Sequence, residues 1–152
     1  MQSALRLLSF RQRTIHELTE KLLSKGYSED EINGTVERLI EGRYLDDEAF
    51  AGDFACSRMK NRQWGRIKVS HELRKRGVAA GVIEKTLNGL KEETEIDAAK
   101  EALRKWLKKS GRKDWTKDTA ARAARHLSGK GFPFSTIRSA MNNPGITDGG
   151  EE

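Results

Sequence analysis

Leu22-Leu23-Ser24-Lys25-Gly26-Tyr27-Ser28-Glu29-Asp30-Glu31-Ile32-Asn33-Gly34-Thr35-Val36 decides the fold, because its skeleton occurs three times in the chain. Leu22, Gly26, Tyr27, Ile32 and Val36 set the pattern Leu-x-x-x-Gly-apolar-x-x-x-x-Ile-x-x-x-apolar. Leu73, Gly77, Val78, Ile83 and Leu87 repeat it without a gap, as do Leu127, Gly131, Phe132, Ile137 and Met141. A fixed period of about 50 residues signals an array of like units. Each copy has a local meaning. Leu closes the last turn of a helix, Gly takes the left-handed position just past it, and the next apolar residue packs back on the helix end. Ile and its partner four residues later share one face of a following helix.

Outward from that motif the chain reads as helix after helix. In the first unit Leu5 and Leu8 begin a short helix. Thr14 with Glu17 forms a capping box ahead of Ile15, Leu18 and Leu22, and Ser28 with Glu31 forms another ahead of Ile32, Val36, Leu39 and Ile40. In the second, Asp46 and Asp47 suit the N-cap of a helix carrying Phe50, Phe54 and Met59. Tyr44, Leu45 and Phe50 read as a structural staple between units. After Trp64-Gly65 comes a helix with Ile67, Val69 and Leu73, then one with Val82, Ile83, Leu87 and Leu90, weakened by Gly81 and Gly89. Thr94 is expected to cap the third unit's first helix, with Ala98, Ala99, Ala102, Leu103, Trp106 and Leu107 on its inner face. Ser110 to Asp114 reads as a polar loop. Ala120, Ala123, Ala124 and Leu127 line the next helix, and Pro133 suits the start of the last. No strand-like alternation is present. The expectation is an all-α fold, an elongated tandem array of three three-helix repeats over residues 4–42, 43–93 and 94–143, with a flexible tail over 144–152.

Composition narrows the function. The 152 residues are 34% charged and 36% hydrophobic, and no apolar run approaches the ~20 residues of a membrane span. The start lacks the charged-then-apolar pattern of a secretion signal, and Cys56 is the only cysteine, so a reducing, cytoplasmic setting is expected. The net charge of +6 is uneven: residues 1–47 carry −2, residues 48–93 carry +4 and residues 94–152 carry +4. Arg58, Lys60, Arg62, Arg66, Lys68, Arg74, Lys75 and Arg76 are accompanied by one acid, Glu72. Arg104, Lys105, Lys108, Lys109, Arg112, Lys113 and Lys117 are interrupted only by Asp114. A polyanion, or a complex containing one, is the natural partner for such a surface; a solvated helix face is the plain alternative.

Nothing points to catalysis. His16, His71 and His126 differ in position relative to the repeat, so they form no metal box. Cys56, between Phe54 and Met59, reads as a packed thiol with no base at a meaningful spacing. The glycines fall singly at helix ends, not in a phosphate-binding run. No cofactor is expected. Trp64 and Trp115, in loops beside basic residues, are candidates for base stacking, whereas Trp106, at helical spacing with Leu103, reads as core.

Arg43-Tyr44-Leu45-Asp46-Asp47-Glu48-Ala49-Phe50-Ala51 and Gly65-Arg66-Ile67-Lys68-Val69-Ser70-His71-Glu72-Leu73-Arg74-Lys75-Arg76-Gly77 together resemble the RecX regulatory proteins of bacteria. So do Ala4-Leu5-Arg6-Leu7-Leu8-Ser9 and the stretch from Glu17 to Tyr27. One departure is Arg66, where the family usually has proline; it adds a positive charge at a candidate binding edge. The resemblance implies a cytoplasmic, monomeric, non-catalytic modulator of the RecA recombinase in DNA repair and the SOS response. Such proteins lie in the groove of the RecA filament on single-stranded DNA and slow its ATP hydrolysis, strand exchange and repressor cleavage. The two basic runs would then face DNA or the acidic filament, and the acidic first unit would contact protein. A different class of reading is a stand-alone, helix-turn-helix-like module that sets the middle unit's second helix on duplex DNA. A helical adaptor is a third.

Overall fold

The computed structural model describes residues 1–142, among which every regular element is a helix. Three three-helix repeats follow in tandem: α1 (Gln2–Phe10), α2 (Ile15–Ser24) and α3 (Glu29–Glu41); α4 (Asp47–Arg62), α5 (Arg66–Lys75) and α6 (Ala80–Asn88); α7 (Glu92–Ser110), α8 (Lys117–Gly129) and α9 (Phe134–Met141). The tail expected over residues 144–152 lies outside the described residues.

The repeated glycines do what their spacing demands. Gly26, Gly77 and Gly131 have φ of 94°, 80° and 90°. Each ends its helix in the same pair of bonds. Tyr27 N–H donates to Leu22 O and Gly26 N–H to Leu23 O; Val78 donates to Leu73 O and Gly77 to Arg74 O; Phe132 donates to Leu127 O and Gly131 to Ser128 O. This is the Schellman closure, with the apolar residue after glycine folded back. The capping boxes at Thr14–Glu17 and Ser28–Glu31 are both formed.

Two compact units emerge, and they do not coincide with the repeats. One comprises Met1–Phe54 with His71–Thr86, the other Ala55–Ser70 with Leu87 onward, so α4 and α5 each contribute to both. The first unit holds the core of Ala4, Leu7, Leu18, Leu22, Ile32, Leu39 and Leu45. The second gathers Met59, Ala98, Ala99, Ala102, Leu103, Ala123, Leu127, Phe132, Ile137 and Ala140, with Trp106 and Trp115 partly buried against it. Alanines on α7, α8 and α9 let these helices approach closely.

Within each unit a helix start meets a helix end. In the first, the buried Thr14, N-cap of α2, donates from Oγ1 to the carbonyl of Arg76, the residue before Gly77, at 2.6 Å. In the second, Gly65, ahead of α5, donates from N–H to the carbonyl of Lys130, the residue before Gly131, at 2.9 Å, and Ile67 N–H follows to Gly131 O at 3.0 Å. Side chains on these glycines would strike the neighbour: a Cβ on Gly77 would overlap His16, and one on Gly131 would overlap the backbone and Cβ of Lys68.

Several expectations are corrected. Tyr44 is 64% exposed and no staple. Arg43 takes the left-handed position after α3 (φ 61°), Tyr44 N–H bonds Leu39 O, and Leu45 rather than Tyr44 turns into the core that holds Leu39. Asp46 caps α4 through Ala49 N–H, but Asp47 reaches away and accepts from Ile15 N–H at the start of α2, at 3.0 Å. Ile67 is 57% exposed: it lies about 200° around α5 from buried Val69. Ile40 is exposed one step beyond the Ile32–Val36–Leu39 stripe, Leu5 is exposed beside buried Ala4, and Cys56 lies off the edge of the buried Ala51–Phe54–Ala55–Met59 face. Thr94 caps nothing; α7 begins at Glu92 after Lys91. That helix runs through Ser110 and ends at Gly111 in the left-handed conformation.

Candidate nucleic-acid interface

The second unit builds a basic face from the turn between α4 and α5 and the end of α8. Gln63, at φ 52° and only 6% exposed, stops α4. Its Nε2 donates to Lys60 O at 2.8 Å and its Oε1 accepts from Lys105 Nζ at 2.9 Å, so a residue of α7 is tied to the turn. A left-handed non-glycine residue is costly and persists only where its surroundings over-determine it. Two hydrogen bonds of the side-chain amide do that here. Next in the turn, the Trp64 ring sits under Lys68 Nζ at 4.6 Å and Arg58 Cζ at 5.5 Å from its centroid. Its role is therefore to seat cations by the attraction of charge to an aromatic face; it is not bare for stacking on bases.

Lys130 lies among these groups. Its Nζ donates to Arg62 O at 2.6 Å. Burial first, then the charges of Lys68, Lys105 and Arg62, pushes its amine below the usual lysine range. His126, one turn earlier on α8, stacks on Trp106 with ring centroids 6.1 Å apart. Burial and the charges of Lys130 and Lys109 push its imidazole below the usual histidine value. Arg62, Lys68 and Lys105, from both basic runs, thus converge on Lys130, while Lys109 acts on His126.

The remaining candidates divide. Arg66 turns inward: Glu95, 1% exposed, accepts from Arg66 N–H at 2.7 Å and Nε at 2.8 Å, with Thr136 Oγ1 at 3.3 Å. The carboxylate caps α5 and neutralises the charge of Arg66. Arg104 is held in a fork by Glu101 (2.9 and 2.6 Å), and Arg112 by Asp118 at 3.1 Å. Lys60, Lys108, Lys113 and Lys117 are exposed. Arg74, Lys75 and Arg76 belong to the first unit. There Lys75 faces Glu72 at 3.5 Å, while Arg76 packs over Phe54 at 4.9 Å and pairs with Glu17 at 3.4 Å. Arg76 holds the fold together.

Lys130 and His126 were not singled out from sequence. One signal was present: the residue before each repeat glycine is basic, Lys25, Arg76 and Lys130, as a helix C-terminus prefers. Glu95 also had one, since it falls on the same stripe as Ala98, Ala99 and Ala102. No group of three or more His, Cys, Asp or Glu side chains among the described residues is placed to hold a metal ion, and no described helix is long and apolar enough to cross a membrane.

Family models match in three consecutive blocks: RecX, first three-helix domain, over residues 1–39; second, over 46–87; third, over 93–141. The chain is 37% identical over 141 residues to the regulatory protein RecX of Pelodictyon phaeoclathratiforme, covering 93% of this chain and 86% of that one. It is 34% identical over 138 residues to that of Chromobacterium violaceum, covering 91% and 86%. The crystal structure of RecX from Lactobacillus salivarius superposes with a TM-score of 0.86 over 96% of this chain and 94% of that one, at 21% identity. Repeat grammar, closure geometry and family match agree: the chain belongs to the RecX family of non-enzymatic regulatory proteins.

Proposed function

We propose that this protein binds the RecA filament on single-stranded DNA in the cytoplasm and restrains its ATP hydrolysis, strand exchange and repressor cleavage. The observation that supports this reading is the group of cations at the α4–α5 turn, where the amines of Lys130, Lys105 and Lys68 are held at Arg62, Gln63 and Trp64 in succession and together suit a polyanion. Phosphates are suited to the role, because each neutralised phosphate releases counterions and adds affinity. The cations of the second unit would face the nucleoprotein, and the acidic first unit would contact protein.

Helix-turn-helix docking of α5 on duplex DNA is disfavoured by geometry. The first turn of a recognition helix must reach base edges, and here it is engaged by Glu95 and by the carbonyl of Gly131.

The test is RecA ATP hydrolysis on single-stranded DNA, with and without the protein. A lower rate, together with tighter binding to filaments than to naked duplex at matched salt, supports the reading. An unchanged rate with no filament binding overturns it.

A further inference from the structure

We propose that Lys130 is an acyl-acceptor site, modified by small acyl phosphates that the surrounding cations recruit. The inference rests on geometry independent of any partner. Lys130 Nζ is steered by one hydrogen bond to Arg62 O at 2.6 Å and remains partly exposed. The carbonyl of the same residue is locked to Gly65 N–H, so the side chain departs from a fixed point. Lys105 is held by Gln63 and Lys68 by Trp64, the two residues that follow Arg62 in the same turn. An incoming phosphate therefore meets two pre-positioned ammonium groups beside a third amine.

That third amine is the one suited to attack. Lysine becomes nucleophilic when desolvation or neighbouring cations favour its neutral form, and Lys130 experiences both, burial most strongly. Its nitrogen lone pair adds to the acyl carbon of R–CO–O–phosphate, the carbon–oxygen bond to phosphate breaks, and inorganic phosphate leaves. The nitrogen gives up one proton to solvent, and an amide remains. No oxidant or reductant is involved. The product has lost a charge from the middle of the basic face, which would lower affinity for nucleic acid. This last consequence rests on the interface reading above; the acylation itself does not.

Lys25 is the internal control, because it occupies the same position before Gly26 in the first repeat and is exposed. The intact protein is incubated with acetyl phosphate, and peptide mass spectrometry follows each lysine with time. Lys130 should be modified several-fold faster than Lys25. Inorganic phosphate in excess should slow Lys130 selectively, and so should Lys105→Ala. Equal or slower modification of Lys130 than of Lys25, or no selective protection by phosphate, overturns the assignment. Binding to a fluorescent single-stranded oligonucleotide is then measured with Lys130→Gln and Lys130→Arg. Loss of affinity with Gln and its retention with Arg, with the salt slope lower by about 0.7 for one lost phosphate contact, supports acylation as a regulator. Equal binding by both variants overturns that role. Selective acylation of a protein that binds no oligonucleotide would instead refute the interface reading and leave the acceptor site standing.

Discussion

Thr14 Oγ1 accepts from Glu17 N–H at 3.0 Å while donating to Arg76 O at 2.6 Å, so one buried hydroxyl both caps α2 and joins it to the end of α5. The Gly65–Lys130 bond is its counterpart in the other unit, made from backbone alone. In both cases the start of a second helix receives the carbonyl that precedes the next repeat's glycine.

The three repeat glycines should therefore differ in their tolerance of alanine. All carry the cost of a left-handed side chain, about 1–2 kcal/mol. A Cβ on Gly26 meets nothing within 4 Å, one on Gly77 meets the His16 side chain, and one on Gly131 meets Lys68 backbone. Urea denaturation should rank the losses Gly26→Ala, then Gly77→Ala, then Gly131→Ala as the largest. Equal losses at all three would show that the neighbouring helix start is not what each glycine accommodates.

Removing the buried carboxylate should be more damaging than its net charge suggests. Glu95→Ala leaves Arg66 N–H and guanidinium without their acceptor and uncaps α5. With Arg66 partly solvated, a loss of about 2–3 kcal/mol is expected. Glu95→Gln retains an acceptor and should cost less. Melting curves that leave both variants at the parent's midpoint would refute the cap.

Charge reversal should separate binding from folding. Arg76→Glu faces Glu17 and loses Phe54, and should lower stability by about 2 kcal/mol or more. Lys105→Glu removes one of the two bonds that hold Gln63 but relieves repulsion at Lys130, and should cost about 1–2 kcal/mol, less than Arg76→Glu. Yet Lys105→Glu with Lys68→Glu should weaken oligonucleotide binding and flatten its salt dependence, whereas Arg74→Glu with Lys75→Glu should do so far less. Fluorescence anisotropy over a salt series reads both. The reverse order would move the interface to the first unit.

Acid should act on the first unit through Glu17 and Asp47 with opposite signs. Burial raises the Glu17 carboxyl, but hydrogen bonds from Arg11 and Thr14 N–H and the charges of Arg11 and Arg76 bring it below its ordinary 4.5. A depressed carboxyl contributes stability above its unfolded value, lost as pH falls through the folded one. Burial, with the charges of Asp46 and Glu17, holds Asp47 above its ordinary 3.8 despite the Ile15 N–H bond, so its ionised form opposes folding at neutral pH. Glu17→Gln should thus cost about 1 kcal/mol at pH 7, a difference that disappears once the parent's carboxyl is protonated. Asp47→Asn should be neutral or mildly stabilising at pH 7. A Glu17→Gln deficit that persists unchanged in acid would contradict this assignment.

Local grammar was legible in the sequence because short-range rules govern it: Gly26, Gly77 and Gly131, both capping boxes and most stripe residues stand as read. Ile67 misled because Val69 beside it already claimed the buried face. Tyr44 misled because the left-handed residue after α3 is arginine, which carries no sequence signal of a turn. The basic face was half legible. Charge runs identified Lys68 and Lys105, but their convergence depends on contacts between residues such as Gln63 and Lys105, separated by 42 positions. The same linear run that supplied Lys68 also supplied Arg76, which long-range pairing commits to the fold.

The Gly65–Lys130 joint, unlike the one at Thr14, has a further consequence in what it leaves unspecified. A carbonyl, an N–H and a missing Cβ are the same whatever side chains surround them, so a joint written in main-chain atoms asks almost nothing of its neighbours' chemistry. Outward-facing residues can then diverge from one repeat to the next while the fit stays constant. That freedom permits one scaffold to be acidic at its beginning and basic thereafter, and makes each repeat a blank surface on which a different partner contact can be inscribed.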